Sequence, residues 1–159
     1  MSEWFLKEAE KFLDEARECG VNAFTITGGE PMLHRNFMDI LTGIYVEEIN
    51  TNGYFLRQGV LDQMKERGIR PLMKISFDGI GHHDWLRGRK GAEEDAIRAI
   101  RLCRANDFPV MIQTNVHTIW IRFWKQRSLW TALGCGKCAS SAHRRPQGGR
   151  KMQVMLLWD

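Results

Sequence analysis

Acidic residues all but vanish from one end of this chain, and cysteines are few throughout. Four cysteines occur in 159 residues: Cys19, Cys103, Cys135 and Cys138. So sparse a set does not read as a disulfide framework. Cys19 and Cys103 fall within helical patterns among apolar residues, so both are expected to be buried thiols. No apolar run reaches the roughly eighteen residues that a membrane-spanning helix needs. The start, Met1-Ser2-Glu3-Trp4, lacks the basic-then-apolar layout of a secretion signal. The expected compartment is the cytoplasm, with no membrane partner. Hydrophobic residues make up 43% and charged residues 26%, which supports one packed domain and argues against wholesale disorder.

The net charge of +4 is unevenly placed. Residues 1–117 carry 15 Lys and Arg against 18 Asp and Glu, a balance of −3, while residues 118–159 carry 8 against the single Asp159, a balance of +7. The body of the chain is therefore mildly acidic. Nucleic acid is not expected as its partner, although the total alone would hint at it.

Two hydrophobic periods alternate along residues 1–117. Helical spacing links Phe5, Ala9, Phe12, Leu13 and Ala16, with Ser2 as a candidate cap and Gly20 as a stop. A β-type run covers Val21 to Thr27. Asn36 then caps a second helical pattern through Phe37, Met38, Ile40, Leu41 and Ile44. Tyr45 to Thr51 reads as a strand ending in Asn52-Gly53, and Gly59 to Arg67 as a helix followed by Gly68. Pro71 to Phe77 is a strand ending in Asp78-Gly79. Ala92 to Asn106 forms a long helix with Ala96, Ile97, Ile100 and Cys103 on one face, and Pro109 to Thr114 a fourth strand. One connection is tight: the helical pattern ends at Ile44 where the strand already begins, so either Gly43 stops the helix early or residues have been lost there.

This alternation predicts an α/β fold built from βαβ units, a partial (β/α) barrel with about four parallel strands. Polar and glycine clusters follow the strands: Gly28-Gly29-Glu30, Asn52-Gly53, Asp78-Gly79 and Thr114-Asn115. Sites in such folds are built from loops at the carboxyl ends of strands. Singly, each cluster reads as an ordinary turn. Four on one rim point to one shared site.

The local chemistry can be stated position by position. Two glycines after a strand let the backbone turn sharply and approach a ligand. Glu30 offers a carboxylate to an ammonium group. Pro31 restricts Glu30 to extended conformations. Ser76 and Asp78, two apart at a strand end, should share a face; the competing reading ties Asp78 to backbone amides of a turn. His82-His83-Asp84 lacks a second ligand pair, so a loop or helix-start role is expected rather than a metal site. Arg87 could meet a carboxylate or form a surface ion pair.

The ordered set Thr27-Gly28-Gly29-Glu30-Pro31, Thr51-Asn52-Gly53, Ser76-Phe77-Asp78-Gly79 and His83-Asp84-Trp85-Leu86-Arg87-Gly88 resembles the radical S-adenosylmethionine (radical SAM) enzymes, over roughly residues 4 to 117. It is most similar to the SPASM-type, peptide- and protein-modifying branch. The resemblance implies S-adenosylmethionine and a [4Fe–4S] cluster as cofactors, a 5′-deoxyadenosyl radical that abstracts hydrogen, and a peptide or protein substrate. It implies cofactor-binding roles for Gly28, Gly29, Glu30, Pro31, Asn52, Ser76, Asp78, Arg87 and Asn115. The first three would hold the methionine amino group, and Ser76 and Asp78 would face the ribose.

The family's CxxxCxxC loop, whose thiolates bind the cluster irons, is missing from these 159 residues. In the family it precedes the helix that begins this sequence, so Met1 is expected to correspond to an internal position, with the first barrel strand absent too. The chain alone is expected to be inactive. Cys135-Gly136-Lys137-Cys138 has two sulfurs where three are needed; at most it is half a zinc site with His143.

Residues 118–159 hold four of the six tryptophans. Read one frame over, the codons of residues 118–125 permit a capped helix start, and those of 137–141 a strand start. The expectation is a change of reading frame near codon 117, leaving a basic, Trp-rich, poorly ordered tail. The alternative is a cluster-free binding module whose tail binds RNA by stacking, or a protein partner.

Overall fold

The computed structural model describes residues 11, 14–21, 23–116, 137–144 and 150–157. Residues 14–18 are helical, and Gly20 turns the chain with φ +83°. Then come β1 (Phe24–Ile26), a 3-10 turn (Pro31–Leu33), α1 (Phe37–Gly43), β2 (Val46–Thr51), α2 (Gln58–Glu66), β3 (Leu72–Ser76), α3 (His83–Arg87), α4 (Ala92–Ala105) and β4 (Val110–Val116). Two more strands follow, β5 (Lys137–Arg144) and β6 (Arg150–Leu157).

The sheet order is β1-β2-β3-β4-β6-β5. β1 to β4 are parallel, in chain order, as in a partial (β/α) barrel. β6 pairs antiparallel with β4, and β5 antiparallel with β6. The parallel alternation thus ends with β4. The segment expected to restore a helix lies outside the described residues, as does Cys135 of the CxxC pair. Cys138 and His143 lie on β5, in register with Leu156 and Lys151.

The core follows from alternation. Met73, Ile75 and Phe77 are fully buried, while Leu72, Lys74 and Ser76 between them are half-buried. In register beside them lie Ile49 on β2 and Val110 and Ile112 on β4. Ala96, Ala99, Ile100 and Cys103 of α4, and Leu61 and Met64 of α2, complete one cluster on that face. Burying a side chain such as Phe77 or Ile100 contributes about 1.5–3 kcal/mol. The opposite face is polar: Thr25, Thr27, Glu48, Asn50, Lys74, Ser76 and Gln113. There the Lys74 ammonium pairs with Glu48, whose carboxylate also accepts from the Thr25 hydroxyl.

Several expectations need correction. Cys19 is exposed, because it sits in the turn beyond the helical stretch; Cys103 alone of the two is buried. Asn36 occupies the N-cap of α1 but makes no side-chain cap hydrogen bond. Gly43 is the last helical residue, and extended Ile44 leads into β2, so the helix stops early, at Gly43. On α4 it is Ala99, not Ile97, that joins the fully buried set, while Ile97 is only partly covered. β4 runs on through Asn115, so that residue lies within the strand, paired with Gln153, rather than after it. No helix among the described residues is long and apolar enough to cross a membrane.

Candidate functional site

A cleft of about 470 Å³ opens on the polar face at the carboxyl ends of β1 to β3. That volume suits a small-molecule ligand. Thr27, Gly28 and Gly29 form one wall, Asn50, Thr51 and Asn52 the next, then Ser76, and on the far side His83, Arg87 and Arg89, with Gln113 from β4. A larger groove runs beside α4 past Lys90, Glu94, Ile97 and Arg101, but it lies away from the strand ends and, apart from Asp84, touches none of the motif residues.

The glycine pair turns the chain after β1. Gly28 has φ +103°, a conformation that a side chain would strain, and nothing lies within 4 Å of where a Cβ would stand on either glycine. The backbone there faces open space. Glu30 is extended, as the following proline demands (φ −131°, ψ 109°), and its side chain accepts from the Met32 amide. The same carboxylate accepts the Thr51 hydroxyl at 2.8 Å and the Asn52 amide at 2.8 Å. Three donors of the protein thus converge on Glu30, and neither Glu30 nor Pro31 lines the cleft. The carboxylate ties the β1 loop to the end of β2.

The β2 end is held just as firmly. The Thr51 hydroxyl accepts from the Gly53 amide at 3.0 Å, and the Asn52 side chain accepts from the Tyr54 amide at 2.8 Å, an Asx turn. Gly53 (φ +79°) packs so closely on α4 that a Cβ would lie 2.7 Å from that of Ala99. The Arg98 guanidinium reaches from α4 to the carbonyls of Gly53, Tyr54 and Leu56.

Ser76 lines the cleft; Asp78 does not. The strand ends at Ser76, so alternation no longer governs two residues on, and Asp78 is buried. Its carboxylate accepts from Arg87 through both Nε and Nη2 at 2.8 Å, and its amide donates to His83 Nδ1 at 2.9 Å. The same Nδ1 also stands 3.3 Å from the Asp78 carboxylate. Asp78 therefore sets the orientation of two cleft residues. His83 opens α3, which fits the expected helix-start role, and is buried with its ring tilted against Phe77. Arg89 lies over the Tyr54 ring, 4.5 Å from the centroid, and pairs with Asp95 at 2.7 Å. Burial pushes the Asp95 carboxyl up, but the hydrogen bonds and charges of Arg89 and Arg98 outweigh it and hold it below the ordinary value.

Of the nine residues expected at the site, Gly28, Gly29, Asn52, Ser76 and Arg87 meet at the cleft; Glu30, Pro31 and Asp78 do not line it, and Asn115 lies on β4. Thr27, Asn50, His83, Arg89 and Gln113 were not selected as cleft residues from sequence. The signal for Asn50 was present: Glu48, Asn50 and Asn52 put polar groups at every second position of a strand and its end, on the face away from the helices.

Asn50 also bears on what the cleft can hold. Its Nδ2 donates to the Thr27 hydroxyl at 3.2 Å, while Oδ1 is buried with no partner. An unpaired buried acceptor and an open glycine backbone fit a ligand carrying hydroxyl and amino donors, as S-adenosylmethionine does. An iron–sulfur cluster does not fit these residues. Among the described residues no three His, Cys, Asp or Glu side chains gather into a metal site. Cys19 is exposed and alone, and burial pushes the Cys103 thiol up to about 12.

Comparison with known proteins matches residues 3–121 to the radical SAM superfamily model. The AdoMet-dependent heme synthase of Methanosarcina barkeri is 32% identical over 116 residues, 69% of this chain and 33% of that protein. The subtilosin biosynthesis protein AlbA of Bacillus subtilis is 30% identical over 120 residues, 72% of this chain and 26% of AlbA. A PqqA peptide cyclase of Gluconobacter oxydans is 28% identical over 154 residues, covering 91% of this chain and 42% of the cyclase. The chain thus spans about a quarter to two fifths of these relatives' length. With the family model covering most of the sequence and four parallel strands arranged as in a partial barrel, this chain belongs to the radical SAM superfamily.

Proposed function

We propose that the cleft at the ends of β1 to β3 binds S-adenosylmethionine, and that the chain is the cofactor-holding part of an enzyme that modifies a peptide. The observation that carries this reading is the meeting of Gly28, Gly29, Asn52 and Ser76, from three separate strand ends, on one cleft. The peptide substrate is supported by the names of two relatives, a PqqA peptide cyclase and a bacteriocin biosynthesis protein. In this family S-adenosylmethionine is the source of a 5′-deoxyadenosyl radical that abstracts hydrogen.

The chain's own part is to bind and orient. The Gly28-Gly29 backbone gives close approach to the ligand's amino-acid end. Arg87, held by Asp78, offers a fixed guanidinium to a carboxylate. Ser76 offers a hydroxyl to the ribose. These 159 residues contain no CxxxCxxC, so the chain alone is expected to bind the ligand without cleaving it.

Anaerobic reconstitution of the full chain with iron and sulfide, followed by addition of dithionite and S-adenosylmethionine, tests this. The expected result is S-adenosylmethionine binding with no stable four-iron spectrum and no 5′-deoxyadenosine. A stable cluster with turnover, or no binding at all, contradicts it.

A further inference from the structure

Resting on that reading, we infer that Arg89 is a specificity residue: it receives an acidic side chain of the peptide substrate, while Arg87 meets the carboxylate of S-adenosylmethionine. The charges of the cleft wall point this way. The guanidiniums of Arg87 and Arg89 both line the cleft, and among the described residues no Asp or Glu does. S-adenosylmethionine brings a single carboxylate, so a wall with two cations has room for a second anion.

The two cations differ in how far they are neutralised. Arg87 gives Nε and Nη2 to the buried Asp78 carboxylate. Arg89 has to share its partner. Asp95 accepts from Arg89 through one oxygen at 2.7 Å and from Arg98 through the other at 3.2 Å. Two guanidiniums against one carboxylate leave a positive charge over. Arg98 does not bring it to the cleft, because its Nη atoms are given to the carbonyls of Gly53, Tyr54 and Leu56. Neighbouring carboxylates are turned elsewhere. Asp84 accepts the amides of Gly91 and Glu93, Glu93 accepts the amide of Gly81, and both line the groove beside α4. The surplus charge is therefore presented to the cleft by Arg89.

Arg89 is also open and oriented. Its side chain is 43% exposed against 32% for Arg87, which makes it the more accessible of the two to an incoming chain. Asp95 holds one edge of the guanidinium, and the Tyr54 ring lies 4.5 Å from its central carbon. The group is thus placed before a substrate arrives, which lowers the entropic cost of binding. Among the described residues Nη2 is the nitrogen of this guanidinium that is engaged, so the remaining N–H groups can meet a carboxylate as a fork.

The test titrates the isotopically labelled full chain, at low salt, with N-acetyl-Gly-Glu-Gly-amide and with its Gln counterpart. Both ends are capped, so the Glu side chain is the peptide's one carboxylate. Each titration is run with and without S-adenosylmethionine, and the Arg89 Nε–H resonance is followed, a readout that needs no variant. Expected is a preference for the Glu peptide of roughly threefold to tenfold, with a shift of that resonance. Arg89→Gln should abolish the preference and leave S-adenosylmethionine affinity unchanged, and Asp95 keeps Arg98 in that variant, so melting should change little. Arg89→Lys keeps the charge and should keep the preference. Equal binding of the two peptides overturns the inference. So does a preference that survives in R89Q or disappears in R89K. A loss of S-adenosylmethionine affinity in R89Q without any change for the peptides assigns Arg89 to the cofactor and also overturns it. If the unsubstituted chain binds no S-adenosylmethionine, the reading under Proposed function fails. The titrations without it then decide for Arg89 alone: an Arg89-dependent preference upholds a site for an acidic group, and its absence overturns it.

Discussion

The carboxylate of Glu30 receives the hydroxyl of Thr51, twenty-one residues further on, at 2.8 and 2.9 Å through its two oxygens. This bond, with the neighbouring one from the Asn52 amide, joins the loops after β1 and β2. Glu30→Gln keeps the shape and turns one acceptor into a donor facing donors. A loss of about 1–3 kcal/mol is expected, measured by urea unfolding. No loss would mean that the two loops do not depend on this tie.

Gly53 tests how tightly the β2 end is fitted to α4. Alanine there would be strained at φ +79°, and its Cβ would stand 2.7 Å from that of Ala99. Gly53→Ala should cost about 2–4 kcal/mol. Adding Ala99→Gly relieves the overlap but not the backbone strain, so the double variant should recover only part of the loss in thermal melts.

Asp84 gives the fold an acid-sensitive joint. The amides of Glu93 and Gly91 both donate to its carboxylate at 2.7 Å, and these bonds, that from Glu93 first, hold it below its ordinary 3.8. A depressed carboxylate stabilises the fold at pH above the ordinary value, and the gain disappears as pH falls through the folded value. Asp84→Asn should therefore lower the urea midpoint at pH 7, by an amount that shrinks as pH falls below 3.8. A deficit that stays the same size as pH falls would show that the carboxylate's charge plays no part.

Cys103 is fully buried on α4, and burial pushes its thiol up to about 12. It should resist alkylation by iodoacetamide at pH 8 while exposed Cys19 is labelled. Peptide mapping after brief labelling, native and in urea, separates the two. Fast native labelling of Cys103 would show that α4 opens readily.

The strand–helix alternation was legible because residues such as Met73, Ile75 and Phe77 recur with period two and Ala96, Ile100 and Cys103 with helical spacing. Glycines and Asn-Gly pairs mark the ends. The sequence was less clear where neither period applies. α3 has five residues, too few for a pattern, so the place of His83 beside the cleft was not readable, and that of Arg87 came only from the resemblance. Asp78 stands past the strand end, where alternation no longer governs its direction. Asn115 was read as loop, yet Thr114 and Val116 continue the alternation of Val110 and Ile112. Arg89 lines the cleft with its guanidinium against Asp95 and over Tyr54, and Tyr54 is distant in sequence.

The most direct measurement is amide chemical-shift mapping of the isotopically labelled full chain during titration with millimolar S-adenosylmethionine. The account expects saturable shifts at Gly28, Gly29, Asn50, Asn52 and Ser76, with smaller ones at His83 and Arg87. Shifts confined to the groove beside α4, around Ile97 and Arg101, or none at any concentration, would contradict it.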